Sequence, residues 1–217
     1  MVESVANVLY LFLYGVTRVE SEKRARQMAY QYQADFFPNR DSIRPGTNAY
    51  VFLANETGDD LEVVEMHWGF RPPEGERPWY NVRAEGKQFP VERRCLVPAD
   101  GYTISVKDGP NKGKWFATWP GEPHMAFAGV WRPALPDWPA SYAILTCDPG
   151  PDLAPYEDRQ SVFLAPSMWA EWISGRLTTD ELLTPLPAGT LRVQRVGRQP
   201  TYKPVQMPKA KEPLFDF

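Results

Sequence analysis

Proline is the residue that most constrains the fold of this chain, with 23 occurrences among 217 residues. Proline has no backbone N–H and is excluded from the interiors of helices and central strands, so the regular elements must be short. Short runs rich in β-branched and aromatic residues lie between the turn-rich stretches, which is the pattern of β-strands. The predicted strands are residues 49–54, 62–68, 95–97, 101–106, 114–119, 125–131, 142–147, 161–164 and 191–196.

The connections between these runs favour hairpins over helical crossovers. Residues 55–60 and 107–113 are short, polar and turn-rich, as hairpin loops are. We therefore predict an α+β fold, in which a single domain has a curved, antiparallel, barrel-like sheet and a few peripheral helices. One antiparallel sheet is expected to contain residues 62–68, 95–97, 114–119, 125–131 and 142–147.

Few segments have helical periodicity. Ser21 is placed to cap a helix that runs to about residue 33, and Ser167 is placed to cap a helix over 168–174, just before a glycine. Thr179 is predicted to open a short third helix. All three helices are expected at the periphery of the sheet.

Charge and hydropathy indicate one soluble unit. The chain shows no repeat and no linker, so we predict one domain over residues 1–203 and an extended tail over 204–217. The net charge of −3 gives no overall attraction to nucleic acid, although basic residues concentrate after residue 189. Residues 5–16 are apolar but too few to cross a bilayer. A cytoplasmic protein without a membrane partner is expected.

Metal-ligating residue types are scarce. The two cysteines, Cys95 and Cys147, lie in apolar strand-like runs and are predicted to be buried, reduced thiols, with a disulfide or a metal pair as the alternative. His67 and His124 are the only histidines and lie far apart in the sequence. The sequence therefore predicts no metal and no cofactor.

Four motifs occur in a fixed order: 66–70 (MHWGF), 81–85 (NVRAE), 93–101 (RRCLVPADG) and 127–131 (FAGVW). Together they resemble the SRAP family of SOS response-associated peptidase-like proteins, which shield abasic sites in single-stranded DNA. Lesser matches are 44–47 (RPGT) and 156–159 (YEDR). The resemblance covers nearly the whole domain, so it implies the family's fold and a link to the DNA-damage response.

The positions at which this family carries its chemistry are replaced. The family attacks with a cysteine that follows the initiator methionine, whose thiol and free amine capture the ring-opened sugar as a thiazolidine. Here Tyr14 matches that cysteine, Ile104 matches a family glutamate and Glu157 matches a family histidine; no cysteine precedes Cys95. We predict that the cross-linking chemistry is lost and that Tyr14, Ile104 and Glu157, together with Asn81, line one degenerate pocket.

Positions that bind DNA in the family are better retained. The candidate DNA-contacting residues are Arg44, Pro45, Asn81, Arg83, Thr146 and Arg159. Arg83 offers a planar fork of donors suited to phosphate. The alternative for Asn81 and Arg83 is a set of hydrogen bonds that pin a loop. For Arg159 an internal ion pair with Asp100 or Glu85 is favoured over a DNA contact.

The aromatic wedge that follows Trp-Gly in the family is missing, because residues 71–75 read RPPEG. Trp79 and Tyr80 lie just downstream, where they either replace the wedge as stacking groups or, as we favour, pack on the loop before Asn81. Arg71 is a further basic residue near the expected groove. The tryptophans at strand spacing, Trp68, Trp115, Trp119 and Trp131, are predicted to belong to the core.

Three functions remain open at this stage. The first is a degenerate SRAP-like protein that binds single-stranded or junction DNA non-covalently. The second is a protein–protein interaction scaffold of phage or mobile-element origin, favoured by the acidic residues Glu74 and Glu76 near the expected groove. The third is a hydrolase with altered chemistry, in which Glu157 acts as base or Tyr14 as nucleophile.

Overall fold

The computed structural model describes residues 43–55, 61–74, 76–122 and 125–196. The helix predicted from Ser21 and the tail over 204–217 lie outside these residues. The strands are β1 (Asn48–Ala54), β2 (Leu61–Trp68), β3 (Asn81–Arg83), β4 (Arg94–Ala99), β5 (Tyr102–Val106), β6 (Gly113–Thr118), β7 (Met125–Arg132), β8 (Ser141–Cys147), β9 (Gln160–Ser161), β10 (Phe163–Leu164) and β11 (Arg192–Arg195). The helices are α1 (Pro166–Ile173) and α2 (Thr179–Leu182), with a 3₁₀ turn at Val91–Arg93.

The larger sheet closes on itself. Its strands follow the order β10-β7-β4-β1-β2-β8-β3, and β7 also pairs with β8. Because β7 and β8 meet, strands β7, β4, β1, β2 and β8 form a ring of hydrogen-bonded neighbours. The structure therefore confirms the predicted α+β fold with a curved, barrel-like sheet.

β8 is the central strand of the site described below. One of its edges pairs with β7 and then β9, and the other pairs with β2 and then β3. The segment that carries β9 and β10 fills the gap where β7 and β8 separate. At its centre the Val162 N–H donates to the Leu145 carbonyl (2.9 Å), and the Val162 carbonyl accepts from the Ala128 N–H (2.9 Å).

Two details of the predicted sheet are wrong. The segment 114–119 forms most of β6, which pairs with β5 and β11 in a separate three-stranded sheet. In addition, β2 runs parallel to β8 rather than antiparallel. The local hairpins are as expected, since β1 pairs antiparallel with β2 and β5 with β6. Hairpin signals are local, whereas the choice of a distant partner is not encoded in loop residues.

Alternation along the strands divides the core into two layers. On β8, Leu145 and the residues two positions before and after it pack in one layer with Trp172 of α1. Ile144 packs in the other layer, which also contains Ile104 of the three-stranded sheet. Cys95 lies in the second layer and Cys147 in the first, both as buried free thiols, as predicted. The predicted core tryptophans, Trp68, Trp115, Trp119 and Trp131, pack half-buried against the second layer.

Helix α1 begins earlier than predicted. Ala165 rather than Ser167 occupies the N-cap, and Pro166 takes the first helical turn, where its missing N–H costs nothing. The predicted stop is confirmed, because Gly175 follows the helix with a φ of 78°. Helix α2 begins at Thr179 as predicted, and Thr178 caps it through a reciprocal bond pair with Glu181. Within the described ranges no helix is long and apolar enough to cross a membrane.

Strand β3 was not among the predicted strands. It has only three residues, and its two ends are exposed while Val82 is half-buried. So short a run has no detectable period, and the strand exists because β8 offers an edge with which it pairs in parallel.

Candidate functional site

Hydrogen bonds connect three segments at the start of β3: the turn before β1, the end of β2 and the residue before β3. In the turn that precedes β1, the Gly46 N–H donates to the Trp68 carbonyl (2.9 Å), and the Trp68 N–H donates to the Thr47 carbonyl (2.9 Å). The Trp68 indole Nε1–H then donates to the carbonyl of Tyr80 (3.0 Å). The turn containing Arg44 and Pro45, both exposed, therefore lies beside the segment that leads into β3.

Asn81 and Arg83 are exposed on β3, whereas Val82 between them is half-buried. This is the alternation of a strand with one face toward solvent. Arg83 is in register with Thr146 of β8. Thr146 itself is buried, and its hydroxyl is directed at the carbonyl of Val82 at 3.4 Å. Of the candidate residues on these two strands, Asn81 and Arg83 present their side chains to solvent and Thr146 does not.

Arg159 holds the carboxylates next to β3. Its guanidinium donates to Glu85 (2.6 Å), to Asp148 (2.6 Å) and to the carbonyl of Thr146 (2.8 Å). The favoured internal pair with Glu85 is therefore confirmed; the second carboxylate is Asp148 rather than Asp100. The bond from Arg159 holds the pKa of Glu85 below its usual range, with a smaller contribution from the charge of Arg83.

Glu157 accepts a hydrogen bond from the Tyr102 hydroxyl in a half-buried aromatic cluster. The Tyr102 ring packs against Phe127 and Phe163, with centroids 5.8 and 5.9 Å apart. Burial raises the pKa of Glu157 to about 7, against the opposing effect of the Tyr102 hydrogen bond. Burial, followed by the Glu157 charge, raises the pKa of Tyr102. This carboxyl can hold or release a proton near neutrality.

Ile104 belongs to the same neighbourhood. It is buried on β5 two residues from Tyr102 and is in register with Trp115. The Trp115 ring lies 4.7 Å from the ring of Tyr156, the residue before Glu157. The structure thus brings Ile104 and Glu157 to one cluster and connects Asn81 to β8. Tyr14 lies outside the described residues, so the convergence of all four remains a prediction.

Both thiols are unsuited to nucleophilic attack. Burial raises the pKa of the Cys95 thiol, and it raises that of Cys147 to about 11. The attacking form of cysteine is the thiolate, which is scarce at neutral pH when the pKa is so high. In the part of the chain that the structure describes, no three His, Cys, Asp or Glu residues are grouped to hold a metal ion.

The sequence did not predict several residues of this region. Tyr102 follows the Asp-Gly pair of the third motif, but nothing local marks it as the partner of a residue more than fifty positions away. Asp148 follows β8 directly, and an acid at a strand end is a signal only when its partner is known. Arg132 places its guanidinium 4.4 Å from the centroid of the Phe70 ring, a contact that arises from tertiary packing.

Comparison with known proteins relates the chain to one family and one fold. The family model for SOS response associated peptidase (SRAP) matches residues 14–200. No curated protein matches the chain.

Solved structures share its fold at low identity. A protein from Bordetella bronchiseptica superposes with a TM-score of 0.59 at 18% identity, covering 77% of this chain and 95% of that one. A protein from Bacteroides thetaiotaomicron has a TM-score of 0.57 at 19% identity, with coverage of 79% and 88%. A phage-related protein from Bordetella bronchiseptica has a TM-score of 0.52 at 21% identity, with coverage of 79% and 91%.

Proposed function

Because the chain belongs to the SOS response associated peptidase (SRAP) family, whose model matches residues 14–200, we propose that it binds single-stranded or junction DNA without forming a covalent bond to it. Family membership by itself supports a role related to DNA damage. The mode of binding and the loss of covalent chemistry are our proposals, and each rests on particular residues.

The observation that carries the proposal is the exposed pair Asn81 and Arg83 on β3. Arg83 has a planar fork of donors for a phosphate, and Asn81 offers both a donor and an acceptor one strand repeat away. The nearby carboxylates of Glu85 and Asp148 would repel a phosphate, but both are bound to Arg159. Arg159 thus offsets one of these two negative charges beside Arg83.

Arg44 and Pro45 extend the proposed groove. The turn that contains them is hydrogen-bonded to the backbone of Trp68. The indole of Trp68 is hydrogen-bonded to the backbone of Tyr80, next to Asn81. An exposed guanidinium on this turn adds positive charge at the start of β3. Few phosphates would be neutralised by such a site, so the proposed binding is weak and sensitive to salt.

The two cysteines support the proposed non-covalent mode. The sequence contains two, and Cys95 and Cys147 are both buried with raised pKa values. Thiol capture of an abasic sugar requires an accessible thiolate, which neither residue supplies.

A protein–protein interaction scaffold is the second candidate. The loop before β3 exposes Glu74 and Glu76, whose charges oppose a polyanion at this face. Complementary charge on a protein partner would suit the same carboxylates. The two candidates predict opposite results in one titration.

The decisive experiment titrates the protein with fluorescently labelled single-stranded DNA over a range of salt concentrations. For the wild type, we expect binding at low salt and a linear decrease of log affinity with log salt. Arg83→Ala should reduce that slope by about 0.7, which corresponds to one lost phosphate contact on a single strand. Arg176→Ala, which removes an exposed arginine after α1, is the matched control and should keep the wild-type slope.

A second experiment tests the non-covalent mode. After incubation with single-stranded DNA that contains an abasic site, denaturing electrophoresis should show free DNA only. A stable shifted band would refute the loss of covalent chemistry. Absence of binding at the lowest salt, or an unchanged slope for Arg83→Ala, would favour the scaffold instead.

A further inference from the structure

Trp79 is a large aromatic side chain left exposed beside the proposed DNA site. It is 42% exposed, although indole rings are normally covered in a folded domain. Its backbone is held firmly, because the Trp79 N–H donates to the Phe70 carbonyl (3.2 Å) and the Phe70 N–H donates to the Trp79 carbonyl (3.1 Å). A fixed backbone therefore presents this ring to solvent.

Tyr80 and Trp79 differ in burial although they are adjacent, because successive side chains of an extended segment point to opposite faces. The sequence favoured packing of both aromatic residues on the loop before Asn81, and Tyr80 does pack there. Its ring covers Gly69, where an added β-carbon would lie 2.9 Å from the ring carbon Cε1. Gly69 has a φ of 136°, so glycine suits both the conformation and the close approach. The predicted packing on the loop is therefore right for Tyr80 and wrong for Trp79, which is exposed.

Two exposed guanidinium groups are linked to Trp79 through its neighbours, one along the chain and one through its backbone partner Phe70. Arg83 is exposed four residues further on, in β3. Phe70 is the backbone partner of Trp79. The guanidinium of the exposed Arg132 lies 4.4 Å from the centroid of the Phe70 ring. Arg71 forms an ion pair with Asp137 at 2.5 Å, so the negative charge of this aspartate is offset. Glu74 and Glu76 are exposed in the loop between Phe70 and Trp79 and add negative charge there.

We propose that Trp79 is a stacking platform for an unpaired nucleobase, with Arg132 and Arg83 contacting the phosphates on its two sides. This inference rests on the proposed single-stranded DNA binding and adds a base contact to the phosphate contacts. An exposed aromatic ring together with basic side chains is the combination that binds single strands without reading their sequence, because every base has a stacking face. Paired bases are already stacked within the duplex, so the site selects single strands over double strands.

The experiment compares two labelled probes of equal length, one a single-stranded oligonucleotide and the other a chain of stable abasic sugar phosphates. The probes carry the same phosphates and differ in their bases. The wild type should bind the base-bearing probe about 5- to 150-fold more tightly, the range expected for one stacked base. Trp79→Ala should bind both probes equally and keep the wild-type salt slope. Trp79→Phe should retain most of the preference, since the phenyl ring also stacks.

Controls separate this inference from the proposed function. Phe116→Ala removes an exposed aromatic ring from β6, in the other sheet, and should leave the preference unchanged. Quenching of tryptophan fluorescence in the wild type by the base-bearing probe, and not by the abasic probe, gives a readout that requires no variant. The inference is overturned if the wild type binds both probes equally, or if Trp79→Ala keeps the preference. Failure of the proposed function differs, because then the wild type binds neither probe or Arg83→Ala keeps the wild-type salt slope.

Discussion

At the scale of single residues, the carboxyl group of Glu157 illustrates how packing changes chemistry. Its neighbours are aromatic rings and one phenolic hydroxyl, that of Tyr102. Burial penalises the charged form more than the hydrogen bond favours it, so the pKa rises to about 7. Arg159 lies two residues after Glu157 in the sequence. The hydrogen bond that it donates to Glu85 lowers the pKa of that carboxyl group.

The sign of the pH dependence follows from this difference. The folded pKa of Glu157 is about 7, above its ordinary value of 4.5. Its contribution to stability is therefore fully present below about pH 4.5 and is lost as the pH rises through 7. In the wild type, this titration should lower the free energy of unfolding by about 1–2 kcal/mol between pH 5 and pH 8, a value discounted for partial exposure. We expect Glu157→Gln, whose side chain stays neutral, not to show this decrease. Urea unfolding of both proteins across this range measures it.

A control uses the opposite sign at Glu85, whose lowered pKa gives stability that is lost as the pH falls. Glu85→Gln should therefore change the acid limb and leave the region from pH 6 to pH 8 as in the wild type. If Glu157→Gln retains the wild-type slope between pH 5 and pH 8, the protonation assigned to Glu157 is wrong.

At the scale of elements, α1 is docked onto the large sheet by a buried arginine. Arg94 of β4 donates from Nη1 to the carbonyls of Trp172 (3.0 Å) and Leu177 (2.7 Å), and from Nε to the carbonyl of Phe89 (3.2 Å). Its guanidinium also stands 4.1 Å from the centroid of the Trp172 ring. One side chain thus donates to carbonyls at and beyond the end of α1, where helices leave few backbone donors, and it joins the Gly175 N–H at the Trp172 carbonyl.

Arg94→Ala should destabilise the protein by about 3 kcal/mol or more, because it removes the side-chain donor of the Leu177 and Phe89 carbonyls and deletes a packed, buried side chain. The neighbouring Arg93, which lies 4.8 Å from the Trp131 ring, is the matched control. Arg93→Ala loses one partly exposed cation–π contact and should cost about 1 kcal/mol or less. Denaturant midpoints of the two variants measure the difference, and equal losses would contradict this role of Arg94.

At the scale of the whole molecule, the two sheets share one core. Ile104 and Ala117 of the three-stranded sheet are buried in the same layer as Val51 and Met125 of the larger one. The two layers are separated only by the strands of the ring, whose residues alternate between them. Such a molecule should unfold in one cooperative transition, in keeping with a single domain.

The two thiols report on this cooperativity, since Cys95 lies in one layer and Cys147 in the other. In the single-thiol variants Cys147→Ala and Cys95→Ala, the remaining cysteine should become reactive toward a thiol reagent at the urea concentration at which the circular dichroism signal is lost. The comparison is made within each variant, so that a small loss of stability from the substitution does not matter. Reaction of either thiol well below its own unfolding midpoint would indicate layers that open separately.

The sequence by itself determined the local features of this protein. Branched and aromatic runs became strands, polar loops became hairpin connections, and Gly175 ended α1 where the pattern placed its end. The ordered motifs indicated the family, and the cysteine count limited the available chemistry. These features need only neighbouring residues, because turn geometry, capping and strand alternation act over a few positions.

Only the tertiary structure decided which distant segments meet. It assigned β6 to the smaller sheet, aligned β3 parallel to β8, and joined Tyr102 to Glu157. It also chose Glu85 and Asp148 over Asp100 as the partners of Arg159. The competing pairings have similar residue types and differ mainly in geometry, so no local pattern separates them. The exposure of Trp79 and the burial that raises the pKa of Glu157 are likewise set by long-range packing.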